Sequence, residues 1–423
     1  MFKENKITSF VSYKLLIIIL SFVIGFLNPA IFSRIFNQTT FAALLLTSGL
    51  LTYLAFLDAG FGKPLYTIMR EYFIKKNNKL KSSISFSIFF YILVSILIIF
   101  VSSIFAFFVF NFLKPNINIY SFIFFAIGLS TNIATNNFRH IFQAIDRYVF
   151  FEKILFLKRL FNLFALSFFL LPNGIIYFSI TLICLNIFLT LFFVKKLNQI
   201  IKINFSNLID YTSHYFWFKK IQSNALFFFF ITVFEVFYYN YGFIYFSSLD
   251  FSDGDIVKYS LFNKIYLSIV LFARIPADIS IHLASDYFHN KNILKFRKTV
   301  INTLFYCIPI SMVAILPFIF YDDLIFNIWV GENYFNSSLK IALIIAILSN
   351  CFHHIAGTYL FSIGNNFKTC LKINIFSNLL ILISLFYGSL MSLNMETILI
   401  NISLVYLLTA FIYFLNFKIL LWN

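Results

Sequence analysis

Residues 84–110 read ISFSIFFYILVSILIIFVSSIFAFFVF, an uninterrupted run without a single charge. A helix needs roughly 20 apolar residues to cross the hydrocarbon core of a bilayer, and this stretch exceeds that length. Before it stand Arg70, Lys75, Lys76, Lys79 and Lys81; after it stands only Lys114. Basic residues collect on the cytoplasmic side of membrane helices, so the two flanks of this run face opposite compartments.

The same arrangement repeats along the chain. About a dozen apolar stretches of roughly 20 residues follow one another. They fall near 13–33, 41–62, 84–110, 118–140, 152–172 and 174–194, and then 222–249, 256–282, 300–321, 338–362, 370–391 and 397–417. Every second gap is basic. One set holds Lys3, Lys6 and Lys14; the Arg70–Lys81 group; Arg139, Arg147, Lys153, Lys158 and Arg159; Lys195, Lys196, Lys202, Lys219 and Lys220; Lys291, Lys295, Arg297 and Lys298; and Lys368, Lys372 and Lys418. The other set has few bases (Arg34, Lys114, Lys258, Lys340) and most of the acids: Asp250, Asp253, Asp255, Asp322, Asp323, Glu332 and Glu396. The reading is an all-α polytopic membrane protein with both termini cytoplasmic, which an even number of spans requires.

Composition agrees: 61% of residues are hydrophobic, 11% are charged and 64 of 423 are Phe. No soluble core hides that much apolar surface. The net charge of +16 would suggest nucleic acid in a soluble chain; here the basic gaps account for it, and no nucleic-acid partner is expected. Cys184, Cys307, Cys351 and Cys370 show neither paired nor metal-ligand spacing, so neither a disulfide framework nor a metal site is expected. The first apolar run lacks a small-residue cleavage site and reads as a retained helix. The gaps leave no room for a catalytic domain. No GxxxxGK[ST], HExxH or GxSxG pattern occurs, so transport rather than chemistry is expected, without a bound cofactor, driven by H+, Na+ or the membrane potential.

A polar connector at 201–221 divides the chain into an N-terminal six-helix lobe, 1–200, and a C-terminal one, 222–423. An offset of 219 residues pairs Phe142 with Phe361, Tyr148 with Phe367, Lys153 with Lys372 and Ile154 with Ile373. Such a repeat, with an even number of spans per half, fits a two-lobed transporter.

Ionisable residues at membrane depth are functional candidates because burying an unpaired charge is costly. Glu235 in the seventh span and Arg274 in the eighth lie at similar depth and could pair, either as a structural tie or as a gating site. The eighth span also carries Lys264, Pro276 and Asp278, and its proline opens backbone that is tolerated where it lines protein or water. In the fourth span Asn132, Asn136, Arg139 and Gln143 share one helix face; in the tenth, Asn350, His353 or His354, and Gly357 do the same. Such stripes serve as hydrogen-bonding seams or as substrate contacts.

Residues 53–65 read YLAFLDAGFGKPL, with Asp58, Gly60 and Gly62 at the end of the second span. This stretch resembles the LDxGxG signature of the Wzx-type O-antigen flippases, the polysaccharide branch of the multidrug/oligosaccharidyl-lipid/polysaccharide exporter (MOP) superfamily. Tyr259–Ile279 with Pro276, Asn327–Tyr334 (NIWVGENY) and Gly357–Thr369, ending SIGNNFKT, are similar to it as well. From the residues alone, the two glycines permit close backbone approach, and Asp58 could pair with Lys63 or Arg70.

The resemblance implies a MATE-like arrangement of two six-helix lobes around a hydrated central cavity in the bacterial inner membrane. It implies a flippase that passes undecaprenyl-diphosphate-linked oligosaccharide to the periplasmic leaflet by alternating access, in contact with membrane lipids and in company with an O-antigen polymerase and a chain-length regulator. Arg274, Lys264 and Arg139, with Arg34 on the outer side, would supply cations to the diphosphate. Basic residues at mid-depth are expected to be few, almost none in the first half, leaving recognition to Asn, Ser, Tyr and His. The competing readings are a cation-coupled drug antiporter, which should carry acids deep in its first lobe, and an O-antigen polymerase or ligase, which should carry a long basic outer loop.

Overall fold

A computed structural model describes the backbone of residues 2–58, 60–202, 211–248, 251–277, 280, 284, 287–288, 292–363 and 367–422. Side chains are described over the same residues except 2–8, 11, 55–56, 134, 211, 247–248, 354–363, 367 and 417–422. Among the described residues all regular structure is helical.

The chain divides into two compact units, Met1–Val236 and Phe237–Asn423. The first holds α1 (Phe2–Ile35), α2 (Gln38–Leu50), a 3₁₀ run (Leu51–Asp58), α3 (Gly62–Ile74), α4 (Lys79–Leu113), α5 (Ile119–Asn136), α6 (Arg139–Ala144), α7 (Tyr148–Ala165), a 3₁₀ turn (Leu166–Leu170), α8 (Gly174–Ile201) and most of α9 (Tyr211–Ser248). The second holds the end of α9, then α10 (Asp253–Ala273), α11 (Ile293–Phe320), α12 (Asp322–Val330), α13 (Ser337–Ile363), α14 (Phe367–Leu390) and α15 (Met395–Trp422). The boundary between the units falls inside α9. Of the connector expected at 201–221, residues 203–210 lie outside the described residues, as do the side chains of Phe361 and Phe367 in the expected repeat.

Each stretch expected to span the membrane is helical over most of its described residues. Among the described residues eight helices are long and apolar enough to cross a bilayer, and Gln38–Leu54, Ile119–Ile133 and Ser337–His353 are shorter apolar helices. The fold is that of a multi-pass helical membrane protein. The fifth expected span is α7 with its 3₁₀ turn, and it carries Glu152, Lys153, Lys158 and Arg159.

The first unit is layered. At its basic end Leu65, Met69, Phe138, Phe142, Phe151, Phe193, Trp217 and Ile221 close into one apolar cluster. The Phe151 and Phe193 rings lie 5.1 Å apart and those of Phe138 and Phe193 5.7 Å apart, in the offset or tilted geometry that aromatic pairs prefer. Toward the opposite end Phe32, Phe169 and Phe178 pack with centroids 5.1 and 4.6 Å apart. Between the two apolar layers α5, α7 and α8 bring polar side chains together. Small residues allow the approach: Ser130 Oγ donates to Ser102 Oγ on α4 at 3.1 Å, and a Cβ on Gly128 would lie 3.1 Å from the Ser179 backbone of α8. Close packing of this kind replaces the hydrophobic driving force that lipid does not supply.

In the second unit, hydroxyl ties join the helices. Ser403 donates to the Ala342 carbonyl at 2.9 Å and Thr409 to Ser377 at 2.9 Å. Its acidic end is laced by ion pairs: Lys258 with Glu396 at 3.4 Å and Lys340 with Asp322 at 2.7 Å. A capping box starts α10, in which Ser252 Oγ accepts from the Asp255 amide and the Asp255 carboxylate accepts from the Ser252 amide, satisfying donors that the first turn leaves unpaired.

Candidate functional site: a polar layer in the first unit

Lys158 sits about 15 Å along α7 from its first residue and is 3% exposed. Its ammonium donates to the Asn132 carbonyl at 3.3 Å and to the Thr135 hydroxyl. Around it the three helices interlock. Asn162, one turn further along α7, donates through Nδ2 to Asn132 Oδ1 at 3.4 Å. Asn186 of α8 donates to Thr131 Oγ1 at 3.1 Å, to Asn132 Oδ1 at 3.4 Å and to the Leu182 carbonyl at 2.8 Å, while its Oδ1 accepts from Thr135 at 2.9 Å. Among the described residues no carboxylate pairs with Lys158. A buried cation with neutral partners alone is costly, which makes it a functional candidate.

Nearer the basic end, Glu152, 2% exposed, pairs with Arg139: Nε lies 3.2 Å from Oε1 and Nη2 3.4 Å from Oε2. Arg139 opens α6 just after the break that ends α5, and its guanidinium also lies 6.0 Å from the Phe151 ring centroid. The carboxylate pairs with Arg139 and not with Lys158.

By sequence Lys158 and Arg159 fall in the basic gap, and almost no base is expected at mid-depth in the first half. The structure corrects this for Lys158. Helix α7 begins at Tyr148, so Lys158 lies well inside it, where the oxygens of α5 hold its ammonium. Asn132 and Arg139 take part in these networks; Asn136, the last residue of α5, is half-buried. Sequence reasoning missed Lys158, Asn162, Asn186 and Glu152. The available signal was the four-residue spacing of Lys158 and Asn162 on one helix face and a lone Asn in the apolar run of α8.

In the LDAGFG stretch Asp58 ends the 3₁₀ run and Gly62 begins α3. The Asp58 carboxylate accepts the Gly60 amide at 2.8 Å, and the Gly62 amide also bonds to it, an acid placed at the start of α3 where free amides favour it. Gly60 has φ +70°, and a Cβ there would lie 2.3 Å from the Ala225 carbonyl of α9; at Gly62 it would lie 2.5 Å from His140 Nε2. Of the two bases that could pair with Asp58, Lys63 and Arg70, the second pairs instead with Asp146 at 2.8 Å.

Glu235 is exposed in the first unit and close enough to Lys63 to interact electrostatically. Arg274 belongs to the second unit, where it caps α10 and its amide donates to the Val270 carbonyl at 3.0 Å. Helix α10 is interrupted by a turn at Arg274, and Pro276 lies in the helical residues 275–277 that follow it; Asp278 lies outside the described residues. Lys264 is half-buried on α10. His353 is held within the second unit: its Nδ1 lies 3.1 Å from the Tyr238 hydroxyl and its ring stacks on Tyr413 with centroids 4.5 Å apart. Beside it Asn350 accepts from Tyr239 at 3.2 Å and donates to Tyr266. The side chains of His354 and Gly357, and most of 362–369, lie outside the described residues.

No protein-family model matches the sequence, and no curated protein matches it. Solved structures do. An inward-facing multidrug-resistance MATE family transporter of the MOP superfamily superposes with a TM-score of 0.69 at 12% identity, over 95% of this chain and 94% of that one. A variant of the Vibrio cholerae MATE transporter VcmN gives 0.69 at 12% identity, over 99% and 96%. A MOP superfamily transporter from Pyrococcus furiosus, described as having a binding pocket of reversed polarity that suggests a different function, gives 0.67 at 12% identity, over 98% and 95%. At such identity the likeness is one of fold: this chain has the fold of the MATE transporters of the MOP superfamily.

Proposed function

We propose that the protein is a transporter that flips a polyprenyl-diphosphate-linked oligosaccharide, of the undecaprenyl O-antigen type, across the bacterial inner membrane by alternating access, with both termini cytoplasmic. The observation that carries this reading is the charge of the polar layer. A site that exchanges cationic drugs or metal cations wants carboxylates at that depth; here the buried Glu152 pairs with Arg139, and Lys158 has no carboxylate partner among the described residues. Fixed positive charge suits an anionic head group. The Pyrococcus furiosus transporter, described by the reverse polarity of its binding pocket and a suggested different function, is a precedent for a different role on this fold. Flipping needs a protein because each sugar hydroxyl moved unpaired into hydrocarbon costs roughly 4–8 kcal/mol. Arg274 and Lys264 are assigned as further cationic contacts and Glu235 as a gating acid.

Deletion of the gene, followed by analysis of lipid-linked intermediates, tests this. Single repeat units trapped on the cytoplasmic leaflet support flipping; repeat units on the outer leaflet left unpolymerised favour a polymerase; unchanged polysaccharide with altered drug tolerance favours an antiporter. Arg274→Ala is expected to abolish surface O-antigen while the protein still reaches the membrane, and normal polysaccharide with this variant removes Arg274 from the mechanism.

A further inference from the structure

The surroundings of the Lys158 ammonium have the chemistry of an ion site. Its direct partners are a backbone carbonyl and a hydroxyl, and the amide oxygens of Asn132 and Asn186 belong to the same network. All are neutral oxygens, on α5 and α8, which pack against the helix that carries the lysine. Hard monovalent and divalent cations are held by such oxygens, and neutral ones in a rigid cage suit a single charge. A second observation is independent of the lysine. Asn162 is 5% exposed, its Nδ2 is bonded into the cluster, and its Oδ1 has no donor among the described residues, an acceptor in excess of what the chain supplies.

We propose that the cage formed by Asn132, Thr135, Asn162 and Asn186 is a monovalent-cation site which the chain fills with the Lys158 ammonium as a tethered ion. The positive charge of the polar layer is then a covalent part of the protein. It cannot be loaded or emptied by an ion gradient, and any coupling ion acts elsewhere. The charged groups nearest this layer, Arg159 on the same helix and the Arg139–Glu152 pair, leave it net positive. The inference holds whatever cargo is carried.

The test is thermal unfolding of the purified protein in choline chloride, titrated with ammonium, methylammonium, potassium or sodium chloride. Lys158→Ala removes the tethered ion and keeps the oxygens; Lys158→Met fills the same space with an apolar chain. Lys158→Ala is expected to melt lower than the parent and to recover, saturably, by roughly 5 °C at cation concentrations well above Kd. Ammonium and methylammonium, which can also donate hydrogen bonds, should act at the lowest concentrations. The parent and Lys158→Met should not respond. Equal responses of Ala and Met variants, or no response of Lys158→Ala, overturn the proposal. If Lys158→Ala cannot be purified, Asn186 in the parent decides. Both Asn186→Asp and Asn186→Leu lose the Nδ2 donors, but a carboxylate beside a caged cation offsets part of that loss, so Asn186→Asp should melt higher than Asn186→Leu. Equal losses in both reject the cage. Because the readout is stability, its failure leaves the flippase reading untouched, and failure of that reading leaves this one standing.

Discussion

Gly60→Ala isolates what the LDAGFG turn does. The cost has two parts. A non-glycine residue at φ +70° carries about 1 kcal/mol of left-handed strain. The added Cβ would also stand 2.3 Å from the Ala225 carbonyl and the Phe229 amide, against 3.4 Å or more for ordinary contact. Both atoms are helix backbone, so α9 itself must shift; forcing extra volume into a packed site costs typically about 1–3 kcal/mol. The expected total is roughly 3 kcal/mol, or a fall of about 6–12 °C in melting temperature. Two other glycines separate the terms. Gly331 has φ +88° with nothing within 4 Å, so Gly331→Ala should show the strain alone, about 1 kcal/mol. Gly25 has neither constraint, and Gly25→Ala should be neutral or stabilising by up to about 1 kcal/mol through helix propensity. Thermal unfolding in detergent, with membrane abundance measured alongside, reads all three. Gly60→Ala no worse than Gly331→Ala would refute the account of close approach to α9.

Other expectations follow from the ion pairs. Replacing Arg139 by Leu leaves the Glu152 carboxylate buried without its cation and should cost about 3–5 kcal/mol, whereas the double change Arg139→Leu with Glu152→Leu should cost much less; a double-mutant cycle of melting temperatures checks the difference. Asp322 titrates at the acidic end: burial opposes its ionisation, but hydrogen bonds from Lys340 and Asn333 and the charge of Lys340 outweigh that and hold its carboxyl below the ordinary range. A carboxyl depressed in the folded state contributes stability above its unfolded value and loses it as pH falls through the folded one. Asp322→Asn should therefore be less stable than the parent at pH 7, with the gap closing only below about pH 4; a gap independent of pH assigns the loss to packing. Tyr266→Phe removes the acceptor of Asn350 inside the second unit and should cost about 1–2 kcal/mol, readable as a lowered melting temperature.

Length and charge were legible in the sequence because they are one-dimensional quantities. An apolar run of bilayer length has few alternatives to a membrane helix, and the alternation of basic and acidic gaps needs no knowledge of packing. The Gly60 turn was legible too, since two glycines so close together mark backbone that must bend or approach another chain. Which partner each charge takes was decided only by the tertiary structure. Asp58 has Lys63 and Arg70 as sequence neighbours yet accepts the amides of Gly60 and Gly62, while Arg70 reaches Asp146. Lys158 reads as one more base at a span edge until α5 and α8 are seen to surround it with oxygens. Side-chain partners depend on which faces of non-adjacent helices meet, and the linear order of residues does not contain that information.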